Sequence, residues 1–203
     1  MRGRSDIDAA GWHRRARRVE SPNCDDRPPV AAVELIVVHY ISLPPGRFGG
    51  DAIERLFTNR LDPSAHPAYR ELDGLRVSAH FLVRRDGQLV QFVPTTRRAW
   101  HAGVSSFLGR ERCNDFSIGI ELEGSEHAPF TRAQYRRLAA LVRAIARRHP
   151  VRFVAGHSDI APGRKTDPGP QFDWRRFGAS HGVPGLRRPF AAAARDTAKS
   201  TVR

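Results

Sequence analysis

The chain has 203 residues, 40% hydrophobic and 27% charged, enough to bury one core and unlike a disordered or fibrous composition. No run approaches the ~18 apolar residues of a membrane span, and none follows the basic start Met1-Arg2-Gly3-Arg4, so neither a span nor a secretory leader is expected. The net charge of +13 admits an acidic partner, but the arginines are spread along the chain without a nucleic-acid motif, so a solvated Arg-rich surface is expected rather than a nucleic-acid interface.

Residues 1–30 read as a basic N-terminal arm, with Arg14-Arg15-Ala16-Arg17-Arg18 followed by loop chemistry from Ser21 to Pro29. Cys24 and Cys113 are too few for a disulfide framework, which points to a reducing, cytoplasmic setting. The domain proper is expected over 31–178. Val33 to Val38 predicts a buried strand ending at His39, followed by an irregular loop and a short helix near Asp51 to Phe57. Asp86-Gly87 between two β-rich runs predicts a hairpin over Ser78 to Val93. Phe116 to Leu122 predicts another strand. Thr131 to His149 predicts a helix with a Thr131/Gln134 capping box, stopped by Pro150. Arg152 to Gly156 predicts a strand feeding His157. The pattern fades beyond Phe177, and 179–203 is expected to be a mobile tail. Strands interleaved with helices make the fold class α/β: a single domain with a central mixed β-sheet flanked by helices.

The candidate chemistry gathers at strand ends, where α/β sheets hold their sites. His157 opens the Pro- and Gly-rich segment 156–170, and Asp167 lies ten positions further on. His39, His157 and Asp167 make three zinc-type ligands with one open position, the pattern of a catalytic site. On spacing alone His80 and His101 compete with His39. Only Lys165 and Lys199 among 34 basic residues are lysine, so Lys165 suggests a need for a compact ammonium charge. Alternation puts Gly119, Glu121 and Glu123 on one face of their strand, where Gly119 leaves room for another group and a carboxylate can act beside an activated water. A glycosidase using Glu121 and Glu123 is a competing reading, since residues two apart on a strand lie roughly 7 Å apart.

His39, Ser78-Ala79-His80, Trp100-His101-Ala102-Gly103, Gly119 to Gly124, and Gly156-His157 with Lys165 and Asp167 together resemble the zinc N-acetylmuramoyl-L-alanine amidases. The runs Ile41 to Gly46, Gly109 to Phe116 and Asp159 to Pro170 resemble the cytosolic branch that acts on 1,6-anhydromuramyl-peptides, and the match extends from about Trp12 to Phe177. The resemblance implies a mixed sheet flanked by helices and one zinc ion on His39, His157 and Asp167 rather than on His80 or His101. It implies Glu121 and Lys165 as catalytic residues. Tyr40, Arg76, Trp100, His101 and Arg112 are implied to line the substrate groove, Tyr40 standing where relatives commonly carry Asn. The implied substrate is an anhydromuramyl-peptide recovered in peptidoglycan recycling and cut between the lactyl group and L-alanine by a cytoplasmic monomer. A broader muramoyl amidase, or a non-catalytic muropeptide receptor on the same fold, is the alternative.

Overall fold

The apolar run after Val33 forms a strand covered on both faces, as a parallel strand inside an α/β sheet must be. The computed structural model describes residues 6–190. Its strands are β1 (Arg17–Arg18), β2 (Cys24–Asp25), β3 (Leu35–Ile41), β4 (Phe81–Val83), β5 (Leu89–Gln91), β6 (Arg98–Ala99), β7 (Ser106–Phe107), β8 (Arg110–Glu111), β9 (Ser117–Glu123) and β10 (Phe153–Gly156). The helices are α1 (Ala52–Phe57), α2 (Arg132–Arg148), α3 (His157–Ile160) and α4 (Trp174–His181). Six strands form the main sheet in the order β1-β5-β4-β9-β3-β10. All neighbours in it are parallel except the β4–β5 hairpin, so the expected mixed sheet with flanking helices is borne out.

One face of the sheet presents Ile36, Val38, Ile118, Ile120 and Leu122 to Leu138, Leu141, Val142 and Ile145 of α2. Each of those helix side chains gains roughly 1.5–3 kcal/mol on burial, against ~1 kcal/mol for the Thr131/Gln134 capping box that starts the helix. The apolar stripe therefore holds α2, and the cap sets where it begins. The other face packs Leu82 and Val90 on Ile53, Leu56 and Phe57 of α1, and Leu35, Val37 and Ala155 on Phe116 and Ile160.

Three expectations change. β3 continues two residues past His39, placing that histidine within the strand rather than at its end. α4 forms where the pattern seemed to fade: Asp173 caps its start, Gly182 (φ +60°) ends it, and it buries Phe177 against the α2 side of the core. Residues 6–30 are not a detached arm. β1 pairs with β5, β2 pairs with β6, Asn23 is buried, and Ile7 is 1% exposed within the main core. Two-residue strands and a lone isoleucine leave no periodicity to read, which is why this packing was hidden. At the other end, Arg187 bonds along β10 to Val154 and Arg152 (both 2.9 Å), while residues 191–203 of the expected tail lie outside the described residues.

Ile7→Ala is expected to cost about 2–5 kcal/mol in urea unfolding, as a core truncation does. A loss under about 0.5 kcal/mol, typical of surface changes, would return this segment to the status of an arm.

Candidate active site

Register places the site. β3 and β9 run parallel with His39 opposite Glu121, so the two side chains leave the same face on adjacent strands. β10 pairs with β3 on the other side, Gly156 opposite Val38, so that His157 emerges beside His39 at the start of α3. The loop after α3 returns through Ser158 N–H, which donates to the Asp167 carbonyl at 2.8 Å. This return passes so close to the strand end that a Cβ on Gly156 would stand 2.6 Å from Pro168 Cδ.

The result is a triangle of donor atoms. His39 Nδ1 lies 3.0 Å from His157 Nδ1 and 3.0 Å from Asp167 Oδ2, and His157 Nδ1 lies 3.1 Å from the same oxygen. Tetrahedral zinc, with bonds of about 2.0–2.2 Å, spaces its ligand atoms by roughly 3.3–3.5 Å, so small outward shifts of the rings admit the ion. The outer nitrogens support this use. His157 Nε2 donates to the Ala102 carbonyl at 3.1 Å, leaving the Nδ1 lone pair directed into the triangle. Two imidazole lone pairs converging beside a carboxylate call for a cation. Burial would raise the Asp167 pKa, but the adjacent imidazoles of His157 and His39 hold it below the usual carboxylate range. Burial also lowers His39, to about 4 against the opposing pull of Asp167, keeping it neutral and able to ligate.

His80 and His101 are placed elsewhere. His80 Nδ1 accepts from Gly119 N–H at 3.0 Å, and its Nε2 donates to the Arg97 carbonyl at 3.0 Å. His101 stands behind His39, with Nδ1 3.0 Å from His39 Nε2 and Nε2 3.1 Å from Ser117 Oγ. With the His39 lone pair on Nδ1, its Nε2–H donates to His101, whose own Nε2–H donates to Ser117; the Ser117 hydroxyl donates to the Cys113 carbonyl at 2.6 Å. His101 is the group for which Gly119 leaves room, since a Cβ there would sit 2.4 Å from His101 Cγ.

Glu121 is 9% exposed, and its buried Oε2 has no hydrogen-bond partner among the described residues. Burial first, and then the Asp167 charge, push its pKa well above the ordinary range, while Lys165 opposes the shift. Such a carboxylate is suited to exchanging protons with a reactant. Glu123 is committed differently. It pairs with Arg84 at 2.9 Å and accepts from Gly49 N–H (2.7 Å) and Arg85 N–H (3.1 Å), so it is no partner for Glu121 in sugar chemistry.

Comparison with known proteins matches residues 29–170 to Amidase_2, the N-acetylmuramoyl-L-alanine amidases. The chain belongs to this family. The amidase is 60% identical over 169 residues to 1,6-anhydro-N-acetylmuramyl-L-alanine amidase AmpD of Escherichia coli K12, covering 82% of this chain and 92% of that one. It superposes on a crystal structure of a selenomethionine AmpD derivative with a TM-score of 0.83 at 58% identity, covering 85% and 97% of the two chains. The amidase AmiD of E. coli, in complex with the substrate anhydro-N-acetylmuramic acid-L-Ala-D-γ-Glu-L-Lys, aligns with a TM-score of 0.54 at 29% identity, over 86% of this chain and 65% of that one.

Around the amidase centre the peripheral residues scatter. Lys165 is exposed on the loop carrying Asp167, close enough for its charge to act on His39 and Glu121. Arg112, its side chain 71% exposed, lines with Gly103, Val104 and Arg164 a cavity of about 610 Å³. Trp100 is half-buried, near Asp25. Arg76 lines a separate hollow of about 140 Å³ with Tyr69 and Leu72. Strand alternation turns Tyr40 to the face opposite His39, where it packs beside Gly169 of the Asp167 loop. His101 is buried behind His39 instead of lining an open groove. Asn114 and Ser117, which hold this inner layer, were not singled out from the sequence; the small residues Ser117 and Gly119 were the available signal.

Because its folded-state pKa is raised, Glu121 contributes most to stability while protonated and loses that contribution as pH rises through the folded value. Metal-free Glu121→Gln protein should therefore be more stable than the wild type by about 1–3 kcal/mol at neutral pH, with the gap shrinking towards pH 4 in thermal melts. A gap that widens on acidification would contradict the burial argument.

Proposed function

We propose that the protein hydrolyses the amide between the lactyl group and L-alanine of 1,6-anhydro-N-acetylmuramyl-peptides, using one zinc ion, in the recycling of peptidoglycan. The observation that carries this reading is the unpartnered, buried Glu121 oxygen beside a triangle of zinc-type donors. The AmpD name carried by the E. coli relative, and the substrate in the AmiD complex, support the choice of bond and of anhydro-sugar. We place the enzyme in the cytoplasm as a monomer; free Cys24 and Cys113 suit that compartment.

His39, His157 and Asp167 would hold the zinc. When bound, it supplies Lewis acidity, polarising the scissile carbonyl and acidifying water at neutral pH. Glu121 accepts the proton of the attacking water and delivers it to the leaving nitrogen of L-alanine, for which its raised pKa suits it. Lys165 places an ammonium where negative charge develops on the carbonyl oxygen. The exposed arginines, Arg112 foremost, offer paired donors to the carboxylates of the stem peptide.

Incubation with anhydro-N-acetylmuramyl-tripeptide, followed by mass spectrometry, should release intact anhydro-N-acetylmuramic acid and free tripeptide with uptake of one water, lost on chelation and restored by zinc. Glu121→Ala should lower kcat by about 10²–10⁴ with zinc retained, and Asp167→Ala should lose zinc. Failure of zinc-loaded protein to cleave, or cleavage indifferent to chelation, would overturn the reading.

A further inference from the structure

The outer nitrogens of the two histidine ligands meet consecutive residues. His39 Nε2 lies 3.0 Å from His101 Nδ1, and His157 Nε2 lies 3.1 Å from the Ala102 carbonyl. Residues 101 and 102 belong to no strand or helix, so no ladder fixes the peptide between them. One side-chain atom holds both. Asn114 Oδ1 accepts from His101 N–H at 3.1 Å and from Ala102 N–H at 2.9 Å, one donor for each lone pair of an amide oxygen. Asn114 is itself anchored, since it lies in the 3₁₀ turn Cys113–Phe116. Arg27 gathers the carbonyls of Asn114 and Asp115 (both 3.0 Å) and Ser117 (2.9 Å) around that turn.

We propose that Asn114 is a positioning residue for the metal site: its amide oxygen fixes the 101–102 peptide and, through it, the orientation and tautomer of both histidine ligands. The Ala102 carbonyl can only accept, so while it is held in place His157 must carry its proton on Nε2 and present Nδ1 inward. The His101 ring, held by the same clasp, accepts the hydrogen bond from His39 Nε2–H at its Nδ1 and donates in turn from Nε2–H to Ser117. Release of this one peptide loosens two ligands together, whereas loss of either outer contact alone would loosen one. Arg164 also donates to the Ala102 carbonyl, at 2.7 Å, but it reaches from the Asp167 loop and leaves both N–H groups to Asn114.

The inference rests on the zinc reading above, and zinc affinity separates the two. Competition with a chromogenic chelator should show Asn114→Ala binding zinc about 10- to 100-fold more weakly than wild type. Asn114→Asp, which keeps the acceptor oxygen, should recover most of that loss. Imidazole ¹⁵N signals of metal-free Asn114→Ala should report both tautomers of His157. Ser105→Ala serves as control: its hydroxyl accepts from Cys113 N–H at 3.2 Å on the same turn without touching the 101–102 peptide, and its zinc affinity should stay near wild type. Should Asn114→Ala fail to fold, Asn114→Gln, with the amide one methylene too far, takes its place. Wild-type affinity in the Ala or Gln variant, no recovery in Asn114→Asp, or an equal loss in Ser105→Ala would overturn the assignment. A wild type that binds no zinc overturns the metal reading itself, and this inference with it.

Discussion

Everything at the centre depends on three parallel strands sharing one register. β9, β3 and β10 lie side by side, and their pairing sets His39 against Glu121 and brings His157 out one residue past the Gly156–Val38 pair. Parallel strands buried on both faces cannot slip by one residue without exchanging their core and site faces. A slip would put Ile120 or Leu122 where Glu121 stands. The apolar packing of Ile36, Val38, Ile118 and Ile120 under α2 therefore also holds the face of His39 and Glu121 in place.

Burial is what gives these polar groups their properties, and it is costly to the fold. Glu121 keeps one oxygen without a partner, a situation that most buried groups avoid. His39 and His101 are likewise driven towards their neutral forms by loss of water. The compensation lies behind them, where His101, Ser117 and the Cys113 carbonyl form a directed chain of hydrogen bonds. Glu123, two residues along the same strand, shows the contrast. Arg84 and two backbone N–H groups satisfy it.

Much of this was legible before any coordinates. β3, the β4–β5 hairpin, α2 with its capping box and β10 follow from apolar period and turn residues, and Gly119 announced that another group would approach. The identity of that group was not legible, because His101 reaches Gly119 through a segment without regular structure. Nor could spacing choose His39 over His80 or His101: each sits in an apolar context, and only the fold shows which nitrogens converge. Residues 6–30 misled because their strands are two residues long and their deep anchors, Ile7 and Asn23, stand far apart with no apolar period between them. Tyr40 is adjacent to His39 in sequence, yet pleating sends it to the other face. The clasp by Asn114 uses an ordinary loop residue and has no pattern at all.

X-ray absorption at the zinc edge of the purified protein reads directly whether His39, His157 and Asp167 hold zinc. The expected result is a low-coordinate shell of two imidazole nitrogens and carboxylate or water oxygen at about 2.0–2.2 Å. A sulfur scatterer near 2.3 Å, which would draw Cys24 or Cys113 into the shell, or a six-oxygen shell without imidazole, would contradict it.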